Sequence, residues 1–159
     1  MTMDNLPLFV HTPFEPSPEF VIREALKFAE LRPGEWVYDL GSGDGEVVIL
    51  ATKEYEVRCV GIEFRKDLVE ETLERIRKEN LCRKIKIIHG MYQKIDLGKA
   101  NVVYTYLEFS DNEALRPKLE KELKPGTRVV TYYREISGWT PSQQKTVIPG
   151  HELYLYKKL

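Results

Sequence analysis

Residues 36–45 read WVYDLGSGDG: a short apolar run that closes on an acid, followed by glycines at every second position. A five-residue run of aromatic and branched side chains fits a buried strand, and the apolar stretch 47–53 behind the glycines fits a helix. A strand that turns through glycines straight into a helix is the opening unit of an α/β sheet, where ligands bind at the carboxyl ends of the strands. The glycines let the backbone take positive φ and let a ligand come closer than any Cβ would permit.

A second feature sharpens that reading. Residues 57–62 form another apolar run, and Glu63 closes it eighteen residues after Gly45. The carboxylate of Glu63 then lies beside the first loop, where it can accept hydrogen bonds from both hydroxyls of a ribose. The loop does not suit a dinucleotide. Read from Gly41, GxGxxG needs glycine at position 46, which is Glu46; read from Gly43, it needs glycine at position 48, which is Val48. Asp44 and Glu46 at the helix start would repel a diphosphate, and no GK[ST] follows to make a phosphate loop. A cationic nucleoside without phosphate fits better. S-adenosylmethionine is such a molecule, with a sulfonium and an amino group that Asp39 and nearby carbonyls could receive.

The rest of the chain extends the alternation. A helix starting at Ser17-Pro18-Glu19, with Ser17 as cap, runs to Pro33-Gly34; a helix over 66–80 turns Val69, Leu73 and Ile76 to the core. Strands follow at 84–88, 100–107 and 127–133, with a helix at 112–123. Residues 146–148 and 153–157 flank Pro149-Gly150 and read as an antiparallel hairpin at the sheet edge. The expectation is one α/β domain over 1–159: a mostly parallel, Rossmann-like sheet at 35–159, preceded by a segment and helix at 1–34.

Composition excludes little else. The 24 basic and 25 acidic residues nearly cancel, so no overall field draws the protein to nucleic acid, and the cluster at Arg75, Arg77, Lys78, Arg83, Lys84 and Lys86 reads as a solvated helix end. No apolar run approaches a membrane span, and the start MTMDNLPLFVHTPF lacks the pattern of a signal peptide, so a cytoplasmic address is expected. Cys59 and Cys82 have no metal-binding spacing. Four Asn and three Gln beside many Lys and Glu suggest a thermophilic source.

Three stretches carry a resemblance: Phe14-Glu15-Pro16-Ser17-Pro18-Glu19, residues 37–45, and residues 112–139 with LRPKLEKELKPGTRVV and Gly138-Trp139. The chain resembles the seven-strand S-adenosylmethionine-dependent methyltransferases, and within them the small archaeal protein lysine methyltransferase family, which has mitochondrial relatives. The resemblance implies that Asp39, Gly41, Ser42, Gly43 and Asp44 hold the methionine part, Glu63 the ribose, and Phe64, Met91 and Tyr92 the adenine. It also implies that Phe14, Pro16 and Ser17 fold over the cofactor as a lid, with a hydrophobic staple on the first helix as the alternative for Phe14. The product would be S-adenosylhomocysteine, and the partners would be proteins with exposed lysines.

On the acceptor side Tyr104, Tyr106, Phe109, Tyr132, Tyr133 and Trp139 lie on or just past strands four and five, where aromatic faces could desolvate an amine and attract its cationic form. Alternation along the strands makes some of them core. Tyr106 and Tyr132 are the candidates for the wall, with Glu108 as proton acceptor or substrate anchor. Glu108-Phe109 and Tyr132-Tyr133-Arg134 depart from the family's pattern, which bears on acceptor range. A small-molecule or RNA methyltransferase on the same core, or a non-catalytic cofactor-binding module, remain the other readings.

Overall fold

The computed structural model describes residues 14–159. Residues 1–13, where the expected N-terminal segment begins, lie outside them. In chain order the elements are α1 (Glu19–Phe28), β1 (Trp36–Leu40), α2 (Glu46–Tyr55), β2 (Arg58–Glu63), α3 (Lys66–Lys78), β3 (Ile85–His89), a 3₁₀ turn (Tyr92–Lys94), β4 (Val102–Thr105), α4 (Phe109–Glu122), β5 (Arg128–Tyr132), β6 (Gln143–Ile148) and β7 (His151–Lys157). One seven-stranded sheet runs β3-β2-β1-β4-β5-β7-β6. The first five strands in that order pair parallel, while β7 pairs antiparallel with both β5 and β6. This is the expected Rossmann-like sheet with its antiparallel hairpin. The order reverses between β1 and β4, which opens a crevice at their carboxyl ends.

Alternation along the strands sorts the core into two layers. Val37, Cys59, Val102, Tyr104, Val130 and Tyr132 pack with α1 and α2. Tyr38, Leu40, Val60, Ile62 and Val103 pack with Leu115 and Leu119 of α4 and with Tyr92 and Leu97. A buried ion pair ties the first layer together: Arg128 of β5 reaches Glu35 at 2.6 Å and also donates to the Ala29 and Glu30 carbonyls beyond the end of α1. Burial pushes the Glu35 carboxyl up, but the Arg128 guanidinium together with the Arg32 amide outweighs it and holds the group below the usual carboxylate range. Cys59 is buried and Cys82 exposed, both as free thiols; burial pushes the Cys59 thiol up to about 12, so it is inert. Among the described residues no helix is long and apolar enough to cross a membrane.

Several local expectations need correction. Leu73 is 46% exposed, and the buried stripe of α3 is Leu68, Val69, Thr72 and Ile76. Thr72 takes the inward place because its hydroxyl donates to the Gly43 carbonyl at 3.1 Å. Ser17 does not cap α1: Pro18 holds the cap position, and the Ser17 hydroxyl bonds the Tyr104 hydroxyl at 2.9 Å. α1 itself stops at Phe28, with Glu30 left-handed at φ 54°, ahead of Pro33-Gly34. Strand β4 is shorter than expected and leaves Tyr106 and Leu107 in the loop beyond it. Strand β6 is longer, because its polar residues occupy an outer edge that pairs only with β7 and needs no apolar alternation.

Candidate functional site

The loop after β1 is pinned from every side. The amides of Gly41 and Ser42 donate to the Ile62 carbonyl at 2.8 and 2.9 Å, which docks the loop on the end of β2. Arg75 of α3 donates to the Asp44 carbonyl and pairs with Glu46 at 2.7 Å. The two oxygens of Glu63 accept from the Gly43 amide at 2.8 Å and the Arg65 amide at 2.7 Å. Two fixed amides orient the carboxylate and leave each oxygen a further lone pair for a ligand. Gly43 is left-handed at φ 55°, and a Cβ there would run into the ring of Phe14. The Phe14 segment therefore closes directly over the glycine loop.

Asp39 is 2% exposed, and no cation pairs with its carboxyl among the described residues. Burial first, then the charges of Glu63 and Asp44, push it up to about 8. Ser42 is also buried, with an unpaired hydroxyl. A buried acid without a cation and a buried hydroxyl without a partner are costly unless a ligand completes them. Their chemistry fits a molecule that brings a positive centre and hydroxyl groups.

The crevice that these groups line also includes Phe14, Pro16, Ser17, Asp44, Phe64, Met91, Tyr92, Tyr106 and Glu108, so most of the residues named from sequence meet in one place. Phe64 is 37% exposed, whereas Tyr92 is buried among the α4 layer. Tyr106 turns its hydroxyl to Glu15 at 3.3 Å; burial, then Glu15, push it up to about 12, so it stays a neutral phenol at ordinary pH. The ring of Tyr132 lies 4.4 Å from that of Tyr106, behind it. Glu108 holds the N-cap position of α4 without a side-chain cap bond, its carboxylate 3.9 Å from Arg134 at the mouth. Tyr104 is core, with burial pushing its hydroxyl far up. Trp139 does not join the wall: it packs on Tyr156 on the opposite face and donates to Glu120 at 3.0 Å.

Three residues of the site give no usable signal in the sequence. Glu15 reaches Tyr106 across ninety-one positions. His151 accepts or donates at 2.6 Å to the Tyr132 hydroxyl through Nδ1. Asp111, in the first turn of α4, lines the crevice at 8% exposure and is pushed up by burial, then by Glu108. An acid in the first turn of a helix reads simply as a partner of the helix dipole.

Comparison with known proteins decides the family. Residues 39–143 match the model of the ANTKMT methyltransferase domain. The chain belongs to that family. The matched range takes in the glycine loop, Glu63, Tyr106, Glu108 and Tyr132. A protein-lysine N-methyltransferase of Saccharolobus islandicus is 42% identical over 150 residues, covering 92% of this chain and 93% of its own. A Homo sapiens lysine N-methyltransferase named for an ATP synthase subunit is 30% identical over 129 residues, 81% of this chain but 54% of that protein. A crystal structure of an RNA methyltransferase from Salinibacter ruber in complex with S-adenosyl-L-homocysteine superposes with a TM-score of 0.87 at 33% identity, covering 90% of this chain and 93% of that one.

Proposed function

We propose that this methyltransferase moves a methyl group from S-adenosylmethionine to the side-chain amine of lysine in protein substrates. The observation that carries the acceptor class is the 42% identity to the Saccharolobus protein-lysine enzyme across nearly the whole of both chains. The donor is supported by the crevice itself, with a buried acid calling for a cation and a carboxylate fixed for two hydroxyls.

In this reading Asp39, with Gly41, Ser42, Gly43 and Asp44, holds the methionine end; Glu63 accepts from the ribose; Phe64, Met91 and Tyr92 contain the adenine. Phe14, Pro16 and Ser17 cover the cleft, held down by the bonds of Ser17 to Tyr104 and of Glu15 to Tyr106. Bound S-adenosylmethionine supplies an electrophilic methyl on a sulfonium, which departs as a neutral thioether. The protein's work is alignment and exclusion of water. Tyr106, backed by Tyr132, desolvates the incoming amine and so favours its neutral, nucleophilic form. Glu108 offers the ammonium a carboxylate at the mouth, where the proton can leave to solvent. A single domain over 1–159 and a cytoplasmic address are part of the same proposal.

The Salinibacter structure favours a second reading, RNA as acceptor. The near balance of 24 basic and 25 acidic residues weighs against it. Incubation of the chain with methyl-labelled S-adenosylmethionine and a mixture of lysine-rich protein, RNA and metabolites separates the readings. Label on lysine supports the proposal; label in RNA or a metabolite replaces it; none, with cofactor bound, reduces the chain to a binding module.

A further inference from the structure

The C-terminal hairpin reaches into the acceptor side. Because β7 runs antiparallel to β5, its first residue, His151, is delivered beside the last residues of β5. The hairpin is fixed there by the Tyr133 amide, which donates to the Glu152 carbonyl at 2.8 Å, and Tyr133 adopts a left-handed φ of 78° to make that turn. Tyr132 is 3% exposed, so its phenol needs a partner, and His151 Nδ1 supplies it at 2.6 Å. The two rings lie nearly parallel, 10° apart with centroids at 6.0 Å, and the ring of Phe20 of α1 meets the imidazole edge-on with centroids at 5.6 Å. The Tyr132 ring also packs against that of Tyr106, with centroids at 4.4 Å, and Tyr106 lines the crevice. The wall is thus held by two polar contacts: Glu15 on the Tyr106 hydroxyl and His151 on the Tyr132 hydroxyl.

We propose that His151 is a positioning residue for the acceptor: through its hydrogen bond to Tyr132 it fixes the ring that backs Tyr106, and so ties acceptor turnover to the C-terminal hairpin. The proposal rests on the reading of Tyr106 and Tyr132 as the acceptor wall. With the phenol donating, Nδ1 of the imidazole is the acceptor. Loss of the bond frees both rings to tilt while the glycine loop and Glu63, on the other side of β4, keep their own contacts. The effect belongs to acceptor turnover and not to cofactor binding.

The test is a kinetic cycle on the full chain with a lysine-rich protein as acceptor, beside calorimetric titration of S-adenosylhomocysteine. His151→Ala and Tyr132→Phe each lower acceptor kcat/KM by about 10-fold, the scale of one lost buried hydrogen bond, and leave S-adenosylhomocysteine affinity within about 2-fold. The double variant is no slower than the slower single, because both remove the same bond. His151→Asn, whose amide oxygen can stand where Nδ1 stood, recovers turnover to within about 3-fold of the unaltered chain. Additive losses, an Asn variant as slow as the Ala variant, or cofactor affinity falling in step with turnover would each overturn the proposal. An unaltered chain that binds S-adenosylhomocysteine but methylates no lysine defeats the acceptor reading first, and this proposal with it.

Discussion

The two sides of the crevice are built in opposite ways. On the cofactor side a handful of residues close in sequence hold one another through backbone amides: Gly43 and Arg65 grip Glu63, and Gly41 and Ser42 grip β2. On the acceptor side, side chains from the approach to α1, the end of β4, β5 and β7 meet through their tips, as Glu15 meets Tyr106 and Tyr132 meets His151. A backbone cradle specifies one ligand and tolerates little change. A wall of rings held by side-chain contacts can be re-spaced one residue at a time.

The comparison is broken most sharply at Glu63. Glu63→Ala removes both ribose acceptors and leaves two amides without partners, so S-adenosylmethionine affinity falls by roughly one to two powers of ten, from ~1.5–3 kcal/mol, as calorimetry would read it. Asp39 tests whether the cradle was made for a cation. In the ligand-free chain its carboxyl is pushed up to about 8, so a cationic ligand must expel a proton below that pH. Affinity should therefore climb as pH rises toward 8 by up to about tenfold per unit and level off above, and Asp39→Asn should flatten the curve. The sign for folding is opposite. A raised carboxyl stabilises the ligand-free fold at low pH, and that contribution is lost as pH rises through about 8, so scanning fluorimetry should show Asp39→Asn the more heat-resistant at pH 9.

Tyr106→Ala sharpens the other half: acceptor turnover drops about tenfold or more while cofactor affinity falls far less than with Glu63→Ala, since one ring of the wall and the Glu15 contact on the cover are gone but the amides of the cradle keep their places. The smallest effect on the site is expected from Arg128→Ala. It breaks a buried ion pair far from the crevice and costs about 3–5 kcal/mol of stability by denaturant titration, with cofactor affinity unchanged at temperatures where the variant is folded.

This contrast also explains what the sequence can show. The cradle is legible because its parts are contiguous and its second acid falls at the end of the next strand, at a fixed distance along the chain. Glu15 and His151 are not, because nothing in the neighbourhood of either residue announces a partner many positions away. The same holds on a smaller scale: Ser17 has the place of a helix cap, but Tyr104 offers it a better bond, and Leu73 loses its inward place to Thr72 because the Gly43 carbonyl needs a donor. The β6 edge reads short in the sequence, since a strand with one neighbour and little burial carries no alternation to detect.

The most direct test is calorimetric titration of the purified chain with S-adenosylmethionine, with a nicotinamide dinucleotide titrated beside it. The account predicts one saturable site for S-adenosylmethionine, weakened by Glu63→Ala, and no heat of binding from the dinucleotide. A chain that ignores S-adenosylmethionine, or that takes the dinucleotide in its place, would contradict it.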